Sequence, residues 1–199
     1  MSDKNPSLKV LIEIPAGSRV KYELDEETGE MMIDRVMPTM MGYPVNYGLI
    51  EETAGEDDDA LDALVFISEP VTPGVYIKCK MIGVLEMEDE EGIDHKIVCV
   101  PEKTKIDPVC GAWESLDDIP EAKKVQIKHF FEHYKDLEKG KWVKLNGWHG
   151  LDRAAKIFAA GQKKFTEQIT AEITEIEKEM DEECSSTNKC GCKNCQDCK

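Results

Sequence analysis

Apolar and polar positions alternate in short stretches over the first hundred residues. Leu8 to Pro15 places β-branched residues around a lone Glu13 and predicts a strand. Val20-Lys21-Tyr22-Glu23-Leu24 alternates strictly and predicts a second. Ala16-Gly17-Ser18 and the stretch from Asp25 to Gly29 carry turn chemistry. Met31 to Val36, Leu61 to Ile67, Val75 to Leu85 and Lys96 to Val100 read as further strands, separated by Pro, Gly and acidic clusters. Many short strands with no helices between them predict a closed or nearly closed antiparallel barrel.

The pattern changes near residue 117. Asp117-Asp118-Ile119-Pro120 reads as a helix start, with Asp at the cap and Pro in the first turn. Ile127, Phe130, Phe131, Tyr134 and Leu137 recur at helical spacing, and Gly140 closes the element. Lys141 to Leu145 is a short strand. A second helix begins at Asp152 with Ile157, Phe158, Phe165, Ile169, Ile173 and Ile176 on its stripe, and runs to residue 183 as a charged extension. One domain over residues 1–183 followed by a tail from Cys184 is the expected organisation.

The chain has 199 residues, enough for one sizeable core. Its 41 acidic residues against 25 basic give a net charge of −16. A surface this acidic repels nucleic acid and anionic membrane and suits cation binding. The longest uncharged run, Val36 to Ile50, contains Pro38, Gly42 and Pro44 and is too short to span a bilayer. Met1 to Pro6 has no apolar signal segment, so the expected location is the cytoplasm. Cys79, Cys99 and Cys110 are expected as small hydrophobes in or near the core.

The acids are concentrated. Glu51 to Asp62 holds seven in twelve positions, and Glu86 to Asp94 six in nine, each cluster running into an apolar strand. In extended chain Asp57 and Asp59 share a face, and Asp62 joins them at the strand entrance. Carboxylates crowded at a strand mouth need cations or protons between them. Oxygen-only donors select hard ions. The loop departs from a calcium-binding EF-hand, having Asp62 where Gly is required and Ser68 where Glu is required, so Mg²⁺ is the expected metal. Lys21, Arg35, Lys96, Tyr43, Tyr47, Tyr134 and Lys135 are interleaved with these acids. Metal-binding carboxylates with Lys, Arg and Tyr donors meet the needs of phosphoryl transfer.

Ile12-Glu13-Ile14-Pro15, Lys21-Tyr22-Glu23, Asp34-Arg35, Tyr43 to Gly48, Gly83 to Glu90 and His129 to Glu138 resemble, in order and spacing, family I soluble inorganic pyrophosphatase of the bacterial type. The family signature Asp-Gly-Asp-Pro-x-Asp reads here Asp57-Asp58-Asp59-Ala60-Leu61-Asp62: the three functional aspartates stand and the Gly and Pro are replaced. Where the Gly adopts positive φ, Asp is among the more tolerant replacements.

The resemblance implies an α+β, mainly β fold: a five-stranded OB-like closed barrel with additional strands and two C-terminal helices. It implies Mg²⁺-dependent hydrolysis of pyrophosphate to two orthophosphates, with Mn²⁺ as a substitute. Asp57, Asp62, Asp89, Asp94, Glu13 and Glu23 are then metal ligands, and Asp59 the general base. Lys21, Arg35, Tyr47, Lys96, Tyr134 and Lys135 grip the phosphoryl groups, Lys21, Arg35 and Tyr47 also counting as catalytic. Glu90 and Tyr43 support the site from behind. Asp58, Glu56 and Glu91 read as solvated charges without a role.

The resemblance also implies a homo-oligomer, a hexamer ahead of a dimer or trimer, with His129, His133 and Asp136 at the interface. His129 to His133 also matches the H-x-x-E-H zinc-peptidase pattern, without an evident third ligand. Cys190, Cys192, Cys195 and Cys198, with Cys184 nearby, leave two readings open: a disordered tail of free thiols, or a thiolate site for Zn²⁺ or Cu⁺. The competing function is a catalytically silent metal-binding or interaction protein on the same fold.

Overall fold

The computed structural model describes residues 5–25 and 28–186. Strands β1 (Leu8–Ile14), β2 (Val20–Leu24), β3 (Met31–Val36), β4 (Asn46–Ile50), β5 (Asp62–Val65), β6 (Tyr76–Asp89), β7 (Gly92–Ile93) and β8 (Lys96–Pro101) precede helix α1 (Glu121–His133). Strand β9 (Val143–Gly150) and helix α2 (Leu151–Ser186) follow it. Seven strands make one sheet in the order β1-β4-β5-β8-β6-β7, with β9 also paired to β6 and β1 paired to β6 as well as β4. β2 and β3 form a separate two-stranded ribbon.

One pairing departs from the expected antiparallel arrangement. β5 and β8 run parallel, with Asp62 opposite Lys96 and Leu64 opposite Val98. Parallel neighbours need a long crossover, and here the whole of β6 and β7 lies between them in sequence.

The central strands are apolar on both faces because each face has its own core. Leu64, Val98 and Val100 join Ile127, Phe130 and Phe131 of α1 in one cluster. The alternate residues Ala63, Val65, Ile97 and Cys99 join Ala154 and Phe158 of α2 in the other. The two-residue period of a strand divides the side chains in this way. Cys79, Cys99 and Cys110 are buried free thiols, as expected.

Asp117 and Asp118 do not cap α1. They belong to a separate 3₁₀ turn, Leu116–Asp118, capped by Ser115, whose side chain accepts from the Asp117 N–H. Pro120 stands just before α1, where its missing N–H costs nothing. α1 ends at His133, well before Gly140. β6 extends past Leu85 to Asp89, and β9 begins at Val143 and reaches Gly150. Among the described residues no helix is long and apolar enough to cross a membrane. Cys190, Cys192, Cys195 and Cys198, and with them the Zn²⁺ expectation, lie outside the described residues.

Candidate active site

A cavity of about 530 Å³ opens where β1, the β2–β3 ribbon, the 55–62 loop, the β7 hairpin and the end of α1 come together. The parallel β5–β8 register sets its floor. Asp62 and Lys96 begin their strands side by side, and Lys96 Nζ hydrogen-bonds both Asp62 Oδ2 and Asp94 Oδ1. Lys96 is 2% exposed. Burial works against its charge, but Asp62 and Asp94 outweigh burial and hold the ammonium protonated well above the usual lysine range. Burial raises the Asp94 carboxyl; the Lys96 ammonium works against the rise and the like charge of Asp62 adds to it.

Tyr47, on β4, hydrogen-bonds Asp62, and burial pushes its phenol well above the ordinary value. Its ring lies 5.4 Å from Lys96 Nζ and packs edge-on against Tyr43 at 5.1 Å. Tyr43 in turn rests on Phe130 of α1 at 4.8 Å. Tyr134, which caps α1, stacks on the same Phe130 ring at 5.3 Å and turns a face to the cavity.

Glu13 lies near the end of β1, buried, and its carboxyl is pushed up to about 8, first by burial and then by the charge of Asp62. Lys21 and Arg35 stand opposite each other on β2 and β3. Lys21 pairs with Glu23 and lies 3.7 Å from Asp34, and Arg35 Nε is 3.6 Å from the same Asp34 oxygen.

The signature loop is a turn, not the extended chain expected for Asp57 and Asp59. Gly55 N–H donates to Asp59 O (2.6 Å), and Asp59 N–H to Asp57 Oδ1 (3.2 Å). Asp58 takes φ 73°, the conformation a glycine would supply. The turn still leaves Asp57 and Asp59 both on the cavity wall.

Lys135 is buried and donates to Asp89 Oδ2 (2.7 Å) and Glu90 Oε1 (3.2 Å). Burial would raise the Glu90 carboxyl, but hydrogen bonds from Lys141, Trp142 N–H and Lys135 hold it down to about 2. Every other expected site residue lines the cavity; Glu90 lies behind the wall and touches Lys135. Asp34, Glu91, His95 and Lys141 also line it and were not foreseen as site residues. The adjacency of Asp34 to Arg35 was the available signal for the first. Glu91 is not a bare solvated charge, since it pairs with Lys141 at 2.9 Å. The acidic run from Glu86 is divided by strand geometry: Asp89 faces the cavity, whereas Glu88 pairs with Lys144 and Glu86 with Arg153.

Among the described residues no three His, Cys, Asp or Glu side chains converge as they stand into a coordination sphere. Lys96 occupies the junction of Asp62 and Asp94 instead. The donor set nevertheless fits hard divalent cations, because carboxylate oxygens from Glu13, Asp57, Asp62, Asp89 and Asp94 line one cavity. His129 and His133 lie on α1 with ring centroids 4.6 Å apart, and His133 Nδ1 is 2.8 Å from Asp136.

A cavity walled by many carboxylates and crossed by Lys, Arg and Tyr donors defines an enzyme of the phosphoryl-transfer class. The family model for inorganic pyrophosphatase matches residues 10–166, and the chain belongs to that family. An inorganic pyrophosphatase of Aquifex pyrophilus is 49% identical over 164 residues, covering 81% of this chain and 92% of that protein. One from Rickettsia prowazekii is 50% identical over 158 residues, covering 79% and 91%. Among solved structures, an inorganic pyrophosphatase from Coxiella burnetii superposes with a TM-score of 0.78 at 44% identity, covering 81% of this chain and 96% of that one.

Proposed function

We propose that this chain hydrolyses inorganic pyrophosphate to two orthophosphates. The observation that carries this is the single cavity in which Lys21, Arg35, Tyr47, Lys96, Tyr134 and Lys135 stand among the carboxylates, in a chain whose relatives are inorganic pyrophosphatases.

Asp57, Asp62, Asp89 and Asp94, with Glu13 and Glu23, are the residues that would hold Mg²⁺, or Mn²⁺ in its place. Bound there, the ions supply charge neutralisation and lower the pKa of a coordinated water. The chain's own groups do the rest. Lys21 and Arg35 reach the cavity from the ribbon as fixed positive charges. Lys96 and Lys135 each use two of three ammonium donors on carboxylates, which leaves one for a phosphoryl oxygen. Tyr134 stays protonated and offers its O–H to a phosphoryl oxygen, while Tyr47, also protonated, holds its single O–H on Asp62 and would turn it to the substrate only on release from that carboxylate. Asp59 takes the proton of the attacking water. Glu90 orients Lys135, and Tyr43 wedges Tyr47 against α1. Holding the anion in one orientation favours in-line attack and departure of a neutralised phosphate.

The pairing of β1 with both β4 and β6 supports reading β1, β4, β5, β8 and β6 as a closed five-stranded OB-like barrel. His129, His133 and Asp136 are the proposed interface of a homo-oligomer, a hexamer for preference. The three buried thiols support a cytoplasmic setting. The catalytically silent reading is disfavoured by the retention of every cationic donor on the wall. Phosphate release from pyrophosphate and Mg²⁺ tests the assignment; no release at any Mg²⁺ concentration overturns it.

A further inference from the structure

The 54–59 loop is gripped from outside the cavity by α2. Ala54 N–H donates to Gly161 O at 3.0 Å. One turn on, Lys164 Nζ donates to Gly55 O and Glu56 O (3.1 Å) and pairs with Asp58 Oδ1 (2.8 Å). A turn further, Gln168 Nε2 donates to the same Asp58 oxygen at 2.8 Å. Gly161, Lys164 and Gln168 recur at spacings of three and four, so they share one face of the helix. At Gly161 the approach is close: a Cβ there would sit 2.7 Å from Leu61 Cδ1. The far end of the loop is tied separately, with Thr53 Oγ1 donating to Ile50 O (2.6 Å) and accepting from Leu61 N–H (3.0 Å).

Asp58 sits between the two carboxylates that face the cavity and itself faces α2. Its φ of 73° reverses the chain so that residues 57 and 59 turn one way and residue 58 the other. We propose that Lys164 and Gln168 are positioning residues for the reaction: through Asp58 and the carbonyls of Gly55 and Glu56 they hold Asp57 and Asp59 on the cavity wall. An exposed ion pair is weak alone, and Asp58 is exposed. The two backbone acceptors and the close contact at Gly161 give the grip its rigidity. The replacement of the family's glycine by Asp58 thereby gains a purpose, since the residue that supplies the turn also supplies the handle. The proposal rests on the reading of Asp57 as a metal ligand and Asp59 as proton acceptor.

The test compares the full-length protein with Lys164→Met, Lys164→Arg, Gln168→Leu and Asp57→Asn. Mg²⁺ binding is measured by calorimetry without pyrophosphate, alongside kcat, KM and thermal midpoint. Lys164→Met should weaken Mg²⁺ binding and lower kcat by roughly 10-fold each, the usual scale for residues that support metal ligands. KM for pyrophosphate and the midpoint should stay near the parent, and Lys164→Arg should restore most of both losses. Gln168→Leu should show a smaller loss of the same kind, and none in an Asp58→Gly background. Parent-like Mg²⁺ binding and kcat in both Lys164→Met and Gln168→Leu, with Asp57→Asn impaired, overturns the proposal alone. Unchanged Mg²⁺ binding in Asp57→Asn overturns the reading beneath it as well.

Discussion

Asp62 and Lys96 are the first residues of two adjacent parallel strands, and their side chains meet at one rim of the sheet. In an antiparallel pair the two strand starts would lie at opposite ends. The parallel pairing therefore delivers an acid and a base to the same point without a turn between them. Asp94, two residues before Lys96, completes a carboxylate–ammonium–carboxylate arrangement in which the ammonium is buried and the two acids are half-buried.

Asp62→Asn should remove turnover while leaving the fold. Lys96 keeps Asp94 as a partner, so no buried cation is stranded. Phosphate release should fall at least about 100-fold. Near-parental activity in this variant would refute the place of Asp62 in the metal site.

Lys135→Met should be costly in metal-free protein. It leaves Asp89, whose side chain is 5% exposed, without its cation. The loss should be about 3 kcal/mol, lowering the melting midpoint by roughly 6–12 °C. Saturating Mg²⁺ should recover much of that shift, because it supplies positive charge to the same carboxylate. Equal losses with chelator and with Mg²⁺ would count against Asp89 as a ligand.

Gly48→Ala should disrupt the pairing of β4 with β1. A Cβ at residue 48 would lie 1.9 Å from the carbonyl oxygen of Leu11, and backbone cannot swing aside. β4 must shift, taking Tyr47 with it. A destabilisation of about 3 kcal/mol or more is expected, measured by denaturant unfolding. A parental midpoint would mean that the two strands are not in the register described.

Asp107 sets a pH-dependent stability outside the cavity. Burial would raise its carboxyl, but N–H donors of Ser68 (2.6 Å), Cys110 (3.0 Å) and Val109 (2.8 Å) hold it down to about 2. A depressed native value means stabilisation that is complete above the unfolded value near 4 and fades as pH falls to about 2. Asp107→Ala should lose about 2 kcal/mol at neutral pH, with the gap from the parent narrowing across that acid window. A gap constant from pH 6 to the acid limit would contradict the ionic origin.

The proposed interface on α1 is open to a direct test. His129 and His133 are neighbours with ring centroids 4.6 Å apart. Replacing both with Glu should add like charge to that face and give smaller species in sedimentation at neutral pH. Sedimentation unchanged from the parent removes these histidines from the interface.

Strand β2 was legible to the residue because alternation is a local signal, and β3 because a short apolar run is bounded by Gly29 before it and Pro38 after it. β4 was not: Asn46 to Ile50 carries Gly48, a poor strand former, and its place is set by pairing with β1 and β5. β6 ran further than its apolar run predicted because Glu86 and Glu88 find cations on α2 and β9. The start of α1 was misplaced because Ser115, not Asp117, does the capping, and it caps a different turn. Most of the cavity wall was legible through motifs whose residues lie close in sequence. The hold of Gln168 on Asp58 spans 110 residues, and no local pattern announces it.

The ammonium of Lys96 shapes what an incoming cation meets. One positive charge stands between two carboxylates, so the chain itself holds Asp62 and Asp94 together but offsets them only in part. The unbalanced remainder is an attraction for further positive charge, directed at the one rim where both acids lie.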